Sequence, residues 1–445
     1  MKRLTREGFY GNIIRFNQNL PYKMKKKSKL KKILGHLGPG FITGAADDDP
    51  SGIATYSQTG AQFGYKQLWV ALFTFPFMTV IQEMCGRIGL VTGRGLSGVI
   101  KKNYSKKVLY AAVFILFIAN TINIGADLGA MAASAQLVLG IPFGVLLVGI
   151  TALTLILEVF VSYPTYAKFL KYLTFSLFAY IIVVFVVKQD WQKIALSTFL
   201  PSFSFDKSYI LNIVALLGTT ISPYLFFWQA DQEVEEQIAK HKIEGIGMGQ
   251  PKITRKDLKI MRLDTTIGMF FSNLVMFFII ATCASTLHIN GITQIETADQ
   301  AAMALKPFAG DFAFLIFALG TVGTGLLAVP VLAGSASYAL AEAFEWKVGL
   351  HKKFTEAHGF YLVIIVATLI GLLVNLTPIK PFQMLYYTAV LNGICAPPLI
   401  ILIIFIANNK KIMGKHTNSK FSNVMAWIIT IIMLITLGLL IWSLL

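Results

Sequence analysis

Apolar runs long enough to cross a hydrocarbon core of roughly 30 Å at about 1.5 Å per helical residue recur along the whole chain. They predict helices over roughly 33–62, 67–91, 108–138, 143–163, 169–187, 208–230, 263–287, 310–343, 360–377, 382–407 and 423–444. Two of these runs are interrupted by polar residues and a proline at mid-membrane depth. The first contains Asp47-Asp48-Asp49-Pro50-Ser51-Gly52 and the sixth contains Thr219-Thr220-Ile221-Ser222-Pro223-Tyr224. Proline removes a backbone donor and glycine relaxes the backbone, so both helices are expected to break there. Unwound backbone at membrane depth survives only where protein or a water-filled cavity surrounds it. Corresponding breaks five helices apart imply two units of opposite topology, the arrangement in which transporters hold their substrates. The expected units are 33–190 and 207–407, with a basic tail over 1–32 and an additional helix over 421–445.

Composition agrees with a protein dissolved in lipid: 55% of the 445 residues are hydrophobic and 14% charged. A net charge of +17 suggests nucleic acid until its distribution is examined. With the N-terminus inside, 31 of the 39 Lys and Arg fall on inside segments. Only Lys66, Lys188, Lys193, Lys207, Lys306 and Lys380 fall in outside loops. That asymmetry follows the positive-inside rule, so the expected setting is the cell membrane with a cytoplasmic N-terminus and no nucleic-acid partner. The first 32 residues carry eleven basic residues and lead into an apolar segment that contains aspartates, unlike a cleavable signal peptide. Met24, just before a lysine run, is a second possible start. Cys85, Cys283 and Cys395 lie within spans at unrelated spacings and read as packing residues.

The candidate chemistry sits at the breaks. Three adjacent aspartates are costly near hydrocarbon, and an intramembrane carboxylate is by default functional. Asp49, nearest the break, is the expected metal ligand. Asp47 and Asp48 project from other faces of the first half-helix and are candidate helpers in the ion pathway, as is Asp127 in the third span. Carbonyls freed near Gly52 and Thr219 would add hard oxygen ligands suited to magnesium, calcium or manganese. Glu83 and Arg87, four apart, read as a supporting salt bridge. Glu158 is placed at an exposed helix end, and the run from Asp231 to Glu236 reads as a solvated acidic helix end. Gly320, Gly323 and Gly325 read as packing positions. No nucleophile, phosphate-loop or redox motif is present, so neither an enzyme nor a bound cofactor beyond the transported ion is expected. The expected partners are the lipid bilayer and divalent metal ions, without an obligatory protein partner.

At these residues the sequence resembles the NRAMP family of divalent metal transporters, whose hallmarks are Asp-Pro-Gly-Asn in helix 1 and Met-Pro-His in helix 6. The resemblance runs from about Gly38 to the last helix. It includes Gly38-Pro39-Gly40-Phe41, Phe63-Gly64-Tyr65, Val91-Thr92-Gly93-Arg94 and Ala126-Asp127-Leu128. It implies a LeuT-type fold of five-plus-five inverted repeats. Asp49-Pro50 stands at the family's Asp-Pro, but Gly52 replaces the ligand asparagine. Ser222 and Tyr224 replace the methionine and histidine of Met-Pro-His, and Gln229 stands at a second histidine. Asn120 and Ala130 occupy places where proton-coupled members carry glutamates, and the ninth span lacks arginine.

These departures have physical readings. Loss of a thioether removes a soft ligand and with it discrimination against magnesium. Gly52 and Ser222 leave room for a partly hydrated ion, while tyrosine, asparagine and glutamine do not titrate near neutral pH as histidine does. The pattern is similar to the NRAMP-related magnesium transporter branch, which implies an uncoupled carrier of Mg2+ and Mn2+ with Asp49, Gly52, Thr219, Ser222 and Tyr224 at the metal. A proton-coupled Mn2+ or Fe2+ symporter is the alternative.

Overall fold

The structure is a computed structural model that describes residues 38–161, 174–249 and 251–444. The basic tail, the first residues of the first span, and 162–173 at the end of the fourth span and start of the fifth lie outside the described residues. Among the described residues the chain is helical, with one isolated bridge between Gly245 and Met248 and no strand.

The first span is divided as its sequence predicts, into α1 (Pro39–Asp47) and α2 (Pro50–Phe63). Asp48 (φ −86°, ψ 47°) and Asp49 (φ −67°, ψ 172°) leave helical geometry, and Pro50 opens α2 at its first position. A residue before proline avoids the helical region, while proline itself is preorganised for a first turn. The second break repeats the device. Helix α9 (Lys207–Thr220) stops, Ile221 and Ser222 leave helical geometry, and Pro223 opens α10 (Pro223–Ala239).

The other long helices are α3 (Trp69–Thr92), α5 (Lys106–Leu139), α6 (Phe143–Phe160), α11 (Arg255–Thr286), α12 (Ala313–Phe344), α13 (His358–Val374), α14 (Pro381–Asn408) and α15 (Lys420–Leu444). Shorter helices are α4 (Leu96–Asn103), α7 (Phe178–Val186) and α8 (Trp191–Phe199). Among the described residues, eight spans are long and apolar enough to cross a bilayer, counting α9 with α10 as one, and α13 is a shorter apolar helix. The expected boundaries shift in places: α10 runs on to Ala239 and α11 begins at Arg255, while α4 and α8 were not expected.

Packing sets the broken helices in the middle. Helix α11 lies along α1 and α2, α10 is covered by α3 and α12, and α5 packs lengthwise on α12. Close backbone approach is needed where α1 meets α11, since a Cβ on Gly44 would stand 2.6 Å from the Cα of Gly268. A Cβ on Gly325 would meet Met131, and one on Gly320 would stand 2.9 Å from Ser176 Oγ, consistent with packing roles. Around this core the outer helices α6 and α15 expose apolar side chains such as Phe160, Ile431 and Trp442, as a lipid solvent permits.

The N-terminus of α1 has a distant cap. Gly38, Gly40 and Phe41 donate their backbone N–H groups to the carboxylate of Asp264 on α11, at 2.9, 2.7 and 3.3 Å. Amides that have no intrahelical acceptor are thereby satisfied, and the half-helix is fixed in place beside α11.

Candidate metal centre

The site grows from the two breaks. Asp49 is the N-cap of α2: its Oδ1 accepts from Gly52 N at 2.7 Å and from Ser51 Oγ at 2.6 Å. The positive end of α2 therefore orients this carboxylate. Its other oxygen accepts from Asn123 Nδ2 of α5 at 3.2 Å, and Asp49 is 1% exposed. Four residues along α5, on the same face, Asp127 is buried with neither oxygen hydrogen-bonded among the described residues. The Oδ1 of Asn123 is likewise buried and unpartnered.

Asp47 and Asp48, the candidate helpers in the ion pathway, are buried because α11 covers this side of α1. Ser272 of α11 sends its hydroxyl to Asp47 Oδ2 at 2.5 Å and lies 3.3 Å from Asp48 Oδ1. Gly52 lies inside the first turn of α2, so the carbonyls freed by the break belong to the last turn of α1. One of them, Ala46 O, accepts from the phenol of Tyr224 at 2.9 Å. A Cβ on Gly52 would stand 3.2 Å from Asp47 O and 3.3 Å from the Tyr56 ring, so the room left by this glycine is narrow.

At the second break, Ser222 Oγ is 2.8 Å from both Gly218 O and Thr219 O, covering carbonyls that α9 leaves unpaired. Thr219 Oγ1 stands 3.5 Å from Ser51 Oγ, which brings the two breaks together. Ser335 of α12 donates to Tyr224 O at 2.9 Å. Gln229 lies one and a half turns further along α10. It accepts from Thr43 Oγ1 of α1 at 2.6 Å and donates to Glu233 at 3.0 Å, tying the broken helices together away from the aspartates. Asn120 donates to Leu332 O at 2.9 Å, fastening α5 to α12, and Ala130 is buried.

Thus Asp49, Thr219, Ser222, Tyr224 and Asp127 converge on the region between the breaks, while Gln229 serves a neighbouring contact. Sequence reading missed Asn123, Ser272 and Asp264. The one available signal was that Asn123 sits one turn from Asp127 on the same face of α5.

Similarity to known proteins agrees with this geometry. The Nramp family, described as natural resistance-associated macrophage protein-like, matches residues 40–443. The chain belongs to the Nramp family. Among relatives of this Nramp protein is the divalent metal cation transporter MntH of Klebsiella pneumoniae, 26% identical over 408 residues, 90% of this chain and 92% of that one. In fold it is similar to the crystallised manganese transporter of Eremococcus coleocola, with a TM-score of 0.72 at 16% identity over 94% and 95% of the two chains. Mhp1, a nucleobase-cation-symport-1 family transporter solved in a closed conformation, shares the fold with a TM-score of 0.58 at 13% identity, over 92% of each chain. These relatives are membrane transporters, not enzymes.

Three peripheral expectations have firm outcomes in this Nramp chain. Arg87 and Glu83 do pair, at 3.0 Å, and Arg262 joins them at 2.8 Å. Glu158 is not at an exposed helix end but 5% exposed, with both oxygens unpartnered among the described residues, because α5 and α13 cover that part of α6. The acidic run is not a solvated helix end either. Asp231 and Glu233 are buried because α3, α4 and α12 pack over the last turns of α10. Glu235 accepts from Tyr338 Oη at 2.6 Å and Leu350 N at 2.9 Å, while Glu236 is half-buried and paired with Lys240.

Proposed function

We propose that this protein carries divalent cations, Mg2+ and Mn2+, across the cell membrane by alternating access, with the ion held between the two helix breaks. The observation that supports it is the buried Asp49 carboxylate, pinned by the N-terminus of α2 and facing Asn123 and Asp127. Asp49, Asn123 Oδ1 and the Thr219 carbonyl, which Ser222 Oγ also contacts, make a donor set of oxygens, which favours hard cations that keep part of their water. Ser222 and Tyr224 frame that set through backbone contacts, and no sulfur is among these donors. The divalent cargo agrees with what the relatives' names describe, and magnesium is the extension that the hard donor set adds.

The carrier is uncoupled in this reading. A divalent ion entering a cell gains about 4.6 kcal/mol at roughly 100 mV inside-negative, so no second gradient is needed. Asn120 and Ala130 offer no titratable group along α5. The proton-coupled alternative has one observation in its favour, the buried and unpartnered Asp127. Flux of Mg2+, Mn2+ and Ca2+ into liposomes holding the purified protein, with internal pH followed in parallel, tests both readings. Protein-dependent uptake of Mg2+ and Mn2+ with constant pH supports the first; metal-dependent acidification supports the second.

A further inference from the structure

A second pair of buried carboxylates lies outside the site between the breaks. Asp231 is on α10, seven residues past Tyr224 and so about 10 Å further along the helix axis. It is 0% exposed, and neither of its oxygens has a hydrogen-bond partner among the described residues. Glu342, near the end of α12, is 8% exposed and accepts from Gly95 N at 2.9 Å, Gly98 N at 2.8 Å and Ser97 Oγ at 3.0 Å. The N-terminus of α4 therefore answers the charge of Glu342 and leaves that of Asp231 unanswered.

Gly95 shows how the two acids meet. A Cβ placed there would collide with Asp231 Oδ1 and would stand 2.6 Å from Glu342 Oε2. The two oxygens are thus within about 5 Å of each other, inside the range where like charges oppose each other's ionisation. Neither nearby cation forms an ion pair with the two acids: Arg94 Nη2 donates to Gly247 O at 2.9 Å, and Lys101 Nζ pairs with Glu345 at 2.9 Å and Ala343 O at 2.8 Å. No ion pair among the described residues includes Asp231 or Glu342. A buried carboxylate stays charged only when it is paired or coordinates a cation.

We propose that Asp231 and Glu342 hold a second divalent cation, wedged between α10, α12 and the N-terminus of α4. The two Asp231 oxygens and Glu342 Oε2 are its protein ligands, and water fills the remaining positions. A set of carboxylate oxygens selects hard cations such as Mg2+ or Mn2+ over softer metals. Gly95 is what keeps the space open, since any side chain there would stand between the carboxylates. This site is independent of the proposed transport site at Asp49.

Counting Mn2+ bound to the full-length protein in lipid nanodiscs, by electron paramagnetic resonance titration, tests the proposal. The expected counts are two ions for the unaltered chain, one for Asp231→Asn, one for Asp49→Asn and none for the double variant. Asp231→Ser, smaller and also uncharged, repeats the count should the amide fail to pack. The metal-free thermal midpoint should not fall in Asp231→Asn, because an uncompensated charge is removed, while the Mn2+-induced rise should shrink. An Asp231→Asn protein that binds as many ions as the unaltered chain overturns the site. So does an unaltered chain whose single ion disappears with Asp49→Asn, in which case the two acids share a proton instead.

Discussion

The phenol of Tyr224 donates to the carbonyl of Ala46 at 2.9 Å, so the first turn of α10 is fastened to the last turn of α1. One hydrogen bond thereby joins both broken helices beside the aspartates and satisfies a carbonyl that the break would otherwise strand.

Tyr224→Phe should loosen that closure. Stranding a buried acceptor costs about 1–3 kcal/mol. A loss at the low end corresponds to a rise of roughly fivefold in the KM for Mn2+ uptake, with the fold retained. Uptake titrations in liposomes at matched protein density measure it. An unchanged KM would remove Tyr224 from the transport site.

Asp49→Ala should abolish transport without unfolding the protein. A dication in a low-dielectric cavity would lose its nearest formal counter-charge, a loss of about 3–5 kcal/mol by analogy with breaking a buried ion pair. Apparent affinity should then fall on the order of 10²-fold or more. Mn2+ uptake titrated in liposomes beside a thermal melt separates lost transport affinity from lost structure. Normal uptake affinity in the variant would refute the site.

How much of this was legible in the sequence depends on what each feature rests on. The breaks were readable because Pro50 and Pro223 act locally, through a missing donor and a restricted neighbour. Asp49 was readable for the same reason: it precedes a proline and caps the helix that the proline opens. Asp231 and Glu158 were misread because their burial comes from α12 and α13, residues far away in the chain, and hydropathy along one helix is blind to that. The Asn123 contact to Asp49 and the Asp264 cap on α1 are likewise long-range, joining residues 74 and more than 220 positions apart. The room credited to Gly52 was overstated because the Tyr56 ring and Asp47 carbonyl border it.

Gly52→Asn combined with Ser222→Met should shift preference from Mg2+ toward Mn2+, because an amide oxygen and a soft sulfur replace water around the ion. The asparagine must displace neighbours 3.2–3.3 Å from its Cβ, so overpacking of about 1–3 kcal/mol and a lower maximal rate should accompany the shift. Paired Mg2+ and Mn2+ flux assays give the ratio. A folded double variant with an unaltered ratio would place both positions outside the ion's reach.

Asp264→Ala should lower stability by about 0.5–2 kcal/mol, the range for losing a helix N-cap, since three amides at the start of α1 lose their acceptor. A reduced thermal midpoint in detergent, only partly restored by Asp264→Asn because the amide keeps one acceptor oxygen of two, is the expected pattern. Equal midpoints for Ala and wild type would show that water serves the α1 amides as well.

Uncoupled carriage of divalent ions is decided by loading proteoliposomes with a pH dye, clamping the membrane potential and adding external Mg2+. The expected result is Mg2+ entry that rises with inside-negative potential, a flat pH signal, and flux insensitive to an imposed proton gradient at fixed potential. Acidification that requires both metal and protein, and that vanishes together with metal flux in Asp127→Asn, would contradict it and make the protein a proton-coupled symporter.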